Sequence, residues 1–121
     1  MQDQERDPAN LWDMLEAAQA VVRFTEGLSL PQFLADDRET VRLAVERKLE
    51  ILGEAARRIS PAFRSKHPEI PWKEIVGLRN LISHDYDKVN YEEIYRIVRE
   101  RVPELIERLV PLVPPPPKTE E

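Results

Sequence analysis

The chain has 121 residues, of which 41% are hydrophobic, 34% are charged and none is cysteine, and its 23 acidic and 18 basic residues give a net charge of −5. This length fits one domain with one core, and the missing cysteines exclude disulfides, thiol catalysis and cysteine-based metal sites. No apolar run approaches the ~20 residues that a bilayer span needs, and the first residues contain no secretory segment. We therefore expect a cytoplasmic protein with no membrane partner.

The first half of the chain predicts two long amphipathic helices. Asp7-Pro8 is typical of a helix start, with the aspartate as N-cap and the proline at the first helical position. Gly27 indicates the end of this helix. Asp36-Asp37 can cap the second helix, in which Gly53 predicts close packing against a neighbouring backbone. The apolar residues at helical spacing are Leu11, Leu15, Ala18 and Val22 in the first helix, and Val41, Val45, Leu49, Leu52, Ala56 and Ile59 in the second.

The second half predicts two further helices. Ser60-Pro61 repeats the signal of a cap followed by proline and begins a short connector. Pro71 opens the third helix. Asn90 with Glu93 resembles a capping box for the fourth helix, which Pro103 should kink or interrupt.

Four amphipathic helices with short links and no convincing strand predict an all-α fold. We expect an antiparallel four-helix bundle with short extra helical turns, spanning residues 1–112. Residues 113–121, with the sequence VPPPPKTEE, predict a flexible proline-rich tail. Because every helix has a wide apolar stripe, some of that surface can be buried between subunits.

Only two histidines are available for chemistry. His67 lies in the polar connector between Lys66 and Pro68, where we expect an exposed loop residue. His84 closes a segment, GLRNLISHDY at residues 77–86, that is rich in hydrogen-bonding groups. The two histidines are far apart in sequence and no carboxylates have metal-binding spacing, so the sequence predicts no metal site and no cofactor.

The relation between Arg79 and His84 has two interpretations. On a straight helix the two side chains would lie about 140° apart, so they would not clamp one phosphate. The helix can end near Ser83, so that His84 turns toward Arg79. Alternatively, a two-fold axis can bring together Arg79 and His84 from two subunits. In the plain structural alternative, Arg79 bonds to an acid, His84 caps the helix and Tyr86 packs.

The segment GLRNLISHDYDKVNYEEIY, residues 77–95, resembles the signature of the HEPN superfamily, an arginine followed by a histidine after four to six residues. More narrowly it is similar to the HepT-like toxins, in which a tyrosine stands two residues after the histidine. The matching residues are Arg79, His84 and Tyr86. The stretch ERKLEILGEAARRIS, residues 46–60, is similar to the family's second-helix pattern around Gly-Glu-Ala, and the likeness covers about residues 8–112.

The resemblance implies a HEPN-type bundle that acts as a metal-independent endoribonuclease toxin. It implies a homodimer with the motif in a cleft between the subunits. It also implies a toxin–antitoxin pair, in which a small nucleotidyltransferase antitoxin of the MNT type neutralises the toxin by transferring AMP to Tyr86.

The residue types suit cleavage of RNA by its own 2′-hydroxyl group. Histidine has an ordinary pKa near 6.5 and can move protons at neutral pH, so we assign acid–base work to His84. Arginine stays charged and can grip two phosphate oxygens, which is the role we assign to Arg79. Asn80 can orient His84 or contact RNA, and Asp85 can fix the histidine tautomer. In the structural alternatives, Asn80 is a polar residue on the helix surface and Asp85 is a solvated acid of the loop.

Basic residues are concentrated in one part of the chain, since residues 40–67 contain 7 basic and 3 acidic residues. The candidates for RNA binding are Arg57, Arg58, Arg64 and Lys66, with a solvated basic face as the alternative. Glu54, beside Gly53, can line the cleft or simply be solvated.

Two other functions fit the same bundle. It can be a non-catalytic HEPN module that binds and regulates a partner nucleotidyltransferase, or presents substrate to it. It can also be a plain helical oligomerisation domain, in which case Tyr86 is never modified.

Overall fold

The computed structural model describes residues 2–83 and 89–115, without the side chains of residues 2–4 and Ser83. The described residues are mostly helical and contain no strand, which confirms the predicted all-α class. Its helices are α1 (Gln2–Thr25), α2 (Leu30–Leu34), α3 (Glu39–Arg57), α4 (Pro61–Lys66), α5 (Trp72–Val76), α6 (Leu78–Ser83), α7 (Tyr91–Arg96) and α8 (Val102–Leu109). Within these described ranges, no helix has the length and apolar composition needed to cross a membrane.

The core lies between α1, α3 and the last helices. Helix α1 packs along α3 and against α8, while α5 and α6 pack on another side of α3. Apolar residues at spacings of three and four turn inward on each helix, as expected of amphipathic helices in a bundle. The fully buried side chains include Leu11, Met14, Val21, Phe33, Val45, Leu49, Leu52, Ile94, Val98 and Leu109.

The predicted start of α1 at Asp7 is wrong, because the helix already begins at Gln2. Asp7 is buried inside the helix, with 5% of its surface exposed. Its carboxylate accepts hydrogen bonds from the Ser60 backbone N–H at 2.9 Å and the Ser60 hydroxyl at 2.7 Å. The aspartate therefore joins α1 to the junction of α3 and α4 and does not cap its own helix.

Ser60 acts as the predicted N-cap of α4. Its Oγ accepts from the backbone N–H of Phe63 at 3.2 Å, and Pro61 occupies the first turn. Because the same hydroxyl donates to Asp7, one buried serine serves both the cap and the contact with α1. The predicted N-cap is thus confirmed. The second partner of Ser60, Asp7, lies far away in the sequence.

The third predicted helix is divided and the fourth is interrupted. Gly77 separates α5 from α6. The side-chain oxygen of Asn90 accepts from the Glu93 backbone N–H at 3.1 Å, which confirms the predicted cap of α7. Between α7 and α8 the residues Ile97–Arg101 form a π-helical turn, where the Val102 N–H bonds to the Ile97 carbonyl. Pro103 lacks an N–H and crowds the preceding turn, so the predicted interruption is confirmed with this physical cause.

The short helix α2 is held against α7 by aromatic and charged contacts. The Phe33 ring lies 6.3 Å from that of Tyr91 and 5.5 Å from that of Tyr95. The Tyr91 hydroxyl donates to Glu46, and burial together with this contact raises the pKa of Tyr91 to about 12. Arg42 donates to the Phe33 carbonyl at 2.7 Å and covers the Tyr91 ring at 5.3 Å.

Helix α3 approaches α5 and α6 most closely at Gly53. A Cβ atom built there would lie 3.1 Å from the Ile75 carbonyl oxygen and 3.4 Å from Cγ of Arg79. A backbone oxygen within a helix cannot easily move away, so a side chain at this position would force the two helices apart by a few tenths of an ångström. The close packing predicted at Gly53 is confirmed, and it sets the distance between α3 and the helix that carries Arg79.

The buried Asp7–Ser60 contact predicts a clear loss of stability on substitution. Asp7→Ala should lower the free energy of unfolding by about 2–3 kcal/mol, because it leaves the buried Ser60 N–H without its acceptor. Urea unfolding followed by far-ultraviolet circular dichroism measures this change. Asp13→Ala on the same helix removes an exposed carboxylate and should change stability by less than ~0.5 kcal/mol. Equal effects of the two variants would contradict the assignment.

The contact at Gly53 gives a second prediction. Gly53→Ala should destabilise the protein by about 1–2 kcal/mol through overpacking. Helix propensity alone predicts the opposite, a gain of about 1 kcal/mol. The sign of the change in the free energy of unfolding, measured with urea, decides between these two expectations. A stabilised Gly53→Ala variant would show that α3 and α5 are not in close contact.

Candidate active site

Arg79 lies in the first turn of α6, immediately beyond the break at Gly77. About half of its side chain is exposed, at 53%. Its Nη1 atom lies 3.3 Å from Oε1 of Glu54 on α3. Because α6 packs on α3 beside Gly53, the arginine is directed along the surface of α3.

Glu54 is the shared counter-ion of three arginines. Arg57 donates to both carboxylate oxygens, with Nη2–Oε2 at 2.6 Å and Nε–Oε1 at 3.3 Å. Arg58 places Nε 3.1 Å from Oε2, and Arg79 contacts Oε1. The hydrogen bond from Arg57 holds the pKa of Glu54 below its usual range, and the charges of the three arginines act in the same direction. We call these four residues the Glu54 cluster.

The Glu54 cluster is basic although the protein is acidic. Three guanidinium groups and one carboxylate give a formal local charge of +2, against −5 for the whole chain. Arg57 and Arg58 follow Glu54 by three and four residues, which places all three on one face of α3. Clustered, exposed arginines of this kind suit a phosphodiester.

A polar groove of about 480 Å³ lies beside the cluster, between α1, α3 and α6. It is lined by Asn10, Asp13, Arg47, Glu50, Ile51, Glu54, Ala55, Arg58 and Arg79. The Arg47 and Glu50 side chains in it form their own ion pair at 3.5 Å. Arg79 therefore stands at the edge of a concave surface.

The other predicted RNA-binding residues have different surroundings. Arg64 donates to the carbonyls of Arg57 at 2.7 Å and Ile59 at 3.1 Å, so it caps the C-terminal end of α3. Lys66 lines a separate groove, whose other wall includes residues 111–115. The structure thus brings Arg57 and Arg58 together with Arg79, uses Arg64 to cap the end of α3, and places Lys66 in a separate groove.

His67 is half-buried, so the expectation of an exposed loop residue is wrong. Its ring packs on Phe63 with the centroids 4.5 Å apart, and Nδ1 lies 3.1 Å from a carboxylate oxygen of Glu69. Its carbonyl oxygen accepts from the Trp72 indole at 2.9 Å. These contacts join α4 to α5 and give the histidine a structural role.

Three predicted site residues, His84, Asp85 and Tyr86, lie outside the described residues. Asn80 is described and exposed on α6, next to Arg79, with its backbone N–H bonded to the Gly77 carbonyl. The assignments of these four residues stay predictions.

Sequence reasoning missed the central position of Glu54. The spacing to Arg57 and Arg58 was a usable signal, because residues three and four apart on a helix are neighbours. The contact with Arg79 spans 25 residues and has no local signal.

The comparisons with known proteins agree with the motif at residues 77–95. The family model described as "Ribonuclease HepT-like" matches residues 14–112. The protein named "Putative RNase MJ1380" from Methanocaldococcus jannaschii is 44% identical over 97 residues, which cover 80% of this chain and 87% of that relative. The "Probable ribonuclease HepT" of Thermococcus cleftensis is 37% identical over 95 residues, covering 78% of this chain and 84% of the relative.

A third relative, "Putative RNase TTE0752" from Caldanaerobacter subterraneus subsp. tengcongensis, is 36% identical over 92 residues, covering 76% of this chain and 80% of its own. No solved structure matches the chain. The resemblance inferred from Arg79, His84, Tyr86 and the Gly-Glu-Ala stretch is confirmed. The chain belongs to the HepT-like ribonuclease family of the HEPN superfamily.

Proposed function

We propose that this protein is a metal-independent endoribonuclease and the toxin of a toxin–antitoxin pair. The observation that carries the proposal is the position of Arg79, exposed at the edge of a groove within a basic cluster of three arginines. Membership of a ribonuclease family supports the same conclusion. An RNA phosphate at this edge would meet fixed positive charge although the whole chain is acidic.

The reaction would use the ribose 2′-hydroxyl as its nucleophile. A base removes the hydroxyl proton, the oxygen attacks the adjacent phosphorus, and the bond from phosphorus to the 5′-oxygen breaks as an acid protonates that oxygen. The products are a 2′,3′-cyclic phosphate and a 5′-hydroxyl. Acid–base catalysis typically contributes ~10²–10⁴-fold, and we assign it to His84.

Arg79 would stabilise the pentavalent phosphorane. Negative charge accumulates on its equatorial oxygens, and a guanidinium held in place beforehand favours that charge without reorganising. Arg57 and Arg58 would bind flanking phosphates. Arg64 and Lys66 would attract RNA from outside the Glu54 cluster, Arg64 from the end of α3 and Lys66 from its separate groove. Asn80 and Asp85 would support the histidine.

A homodimer would complete the site. A two-fold axis supplies two histidines, which can divide the roles of acid and base. Large apolar side chains stand exposed on the two longest helices, with Trp12 of α1 at 42% and Leu43 of α3 at 53%. Such residues are suited to burial between subunits.

Neutralisation would occur at Tyr86, through a nucleotidyltransferase antitoxin. The phenol oxygen attacks the α-phosphorus of ATP and pyrophosphate leaves, so the tyrosine gains an AMP group. Because Tyr86 stands two residues after His84, the bulky, negatively charged group would obstruct the place where the RNA phosphate binds.

Cleavage of a short oligoribonucleotide in the presence of a chelator tests the enzyme proposal. Arg79→Ala and His84→Ala should each lower kcat/KM by at least about 100-fold, through lost charge stabilisation and lost proton transfer. Arg96→Ala removes an exposed arginine from α7 and should retain wild-type activity. Mass spectrometry should find the cyclic phosphate product.

A substrate with a 2′-deoxy sugar at the scissile position should not be cut. A wild-type protein that binds its nucleotidyltransferase but cuts no RNA would overturn the nuclease and favour the non-catalytic regulatory module.

Co-expression with the nucleotidyltransferase tests the regulation. The intact mass should rise by whole adenylyl groups, and RNA cleavage should fall. Tyr86→Phe should abolish the mass gain because it lacks the acceptor oxygen. Tyr91→Phe, which removes a hydroxyl already bonded to Glu46, is the matched control and should still be modified. Modification that persists in Tyr86→Phe would place the acceptor elsewhere.

A further inference from the structure

Glu54 connects Arg79 to the end of α3 through a fixed set of contacts. Oε1 contacts Arg57 Nε and Arg79 Nη1, both at 3.3 Å. Oε2 contacts Arg57 Nη2 at 2.6 Å and Arg58 Nε at 3.1 Å. The carboxylate is thus held from its own helix by two arginines while it contacts a third on α6.

We propose that Glu54 is a positioning residue of the site: its contact with Arg79 contributes to the orientation in which Arg79 meets the RNA phosphate. The inference rests on the nuclease function proposed above. Glu54 does not touch the reacting atoms and acts through the guanidinium of Arg79.

The geometry of a guanidinium explains why a carboxylate is suited to this role. Its five N–H donors lie in one plane, so a contact at one nitrogen, here Nη1, restricts the directions of the others. A long, half-exposed arginine side chain otherwise loses much rotamer freedom when it binds a phosphate. Fixing the plane beforehand removes part of that entropic cost from the transition state.

The backbone makes the positioning accurate. Gly53 brings α3 against the carbonyl of Ile75 and the Cγ atom of Arg79, one residue before Glu54. The separation between the Glu54 and Arg79 backbones is therefore set by helix packing. A shorter acidic side chain would retain the charge but lose the reach.

Charge gives the proposal a distinctive signature. Glu54 reduces the positive charge of the cluster, so its removal should strengthen the attraction to a polyanion. Loss of the orientation of the Arg79 guanidinium should slow the chemical step. Glu54→Gln is thus expected to lower KM and kcat together, a combination that simple loss of folded structure does not produce.

The experiment compares kcat and KM for RNA cleavage in three variants of the full chain. Glu54→Gln should lower kcat about 10- to 100-fold and lower KM about two- to fivefold. Glu54→Asp should lower kcat and leave KM near the wild-type value, because its charge remains. Glu39→Gln removes the same charge from the exposed first turn of the same helix, outside the groove and away from Arg79, so its kcat should stay unchanged.

Wild-type kcat in Glu54→Gln, or equal kcat losses in Glu54→Gln and Glu39→Gln, would overturn the inference. An independent readout is the Nε–H signal of Arg79 in NMR relaxation measurements, assigned with Arg79→Lys. The guanidinium should have the same order in the wild type and in Glu39→Gln, and lower order in Glu54→Gln.

This second readout separates the two proposals. If the wild type cuts no RNA, the nuclease proposal fails and the NMR measurement still decides the role of Glu54. Unchanged order of Arg79 in Glu54→Gln would overturn that role even in an active enzyme.

Discussion

The contact between α3 and the α5–α6 segment at Gly53 is the constraint on which the site depends. A Cβ atom at this position would lie only 3.1 Å from the Ile75 carbonyl oxygen, so the two backbones approach each other closely. The residue that follows, Glu54, is rotated by about 100° around the helix and so lies at the rim of this contact and not inside it. From there its carboxylate reaches Arg79 while remaining partly solvated. The close packing at Gly53 and the exposed ion cluster around Glu54 therefore both result from the short distance between α3 and the α5–α6 segment.

The sequence predicted those features of the fold that depend on local backbone chemistry. Ser60 and Asn90 were identified as caps because a short polar side chain can bond to the N–H three residues later, whatever the rest of the protein does. Pro103 interrupts its helix for an equally local reason. Asp7 has the same local signal as Ser60, yet its carboxylate bonds to a residue 53 positions away. A local rule cannot distinguish these two cases, because the competing partner exists only after the helices have packed.

The candidate site shows even more clearly that local sequence signals do not identify contacts formed by helix packing. The residue types came from the motif, and Arg57 and Arg58 came from the excess of basic residues in one stretch of the chain. Counting charge along a sequence does not tell which face each residue occupies. Four residues of that stretch were therefore grouped, although Arg64 is used to cap α3 and Lys66 lines another groove. Glu54 was undervalued for the opposite reason, since a helical glutamate is usually solvated and its contact with Arg79 arises only when α6 packs on α3.

The electrostatics reconcile an acidic protein with a polyanionic substrate. At physiological salt the Debye length is about 8 Å, so distant surface carboxylates contribute little to the potential at the Glu54 cluster. Within the cluster, all three guanidinium groups lie within 3.3 Å of one carboxylate, where screening by salt is weak. A net charge of −5 disfavours non-specific binding of RNA over the whole surface, whereas in the proposed function the formal charge of +2 on the four residues of the Glu54 cluster would hold a phosphate there. In the same proposal, a carboxylate at the centre of the cluster lowers the affinity for RNA and improves the orientation of Arg79, which favours the transition state over the bound substrate.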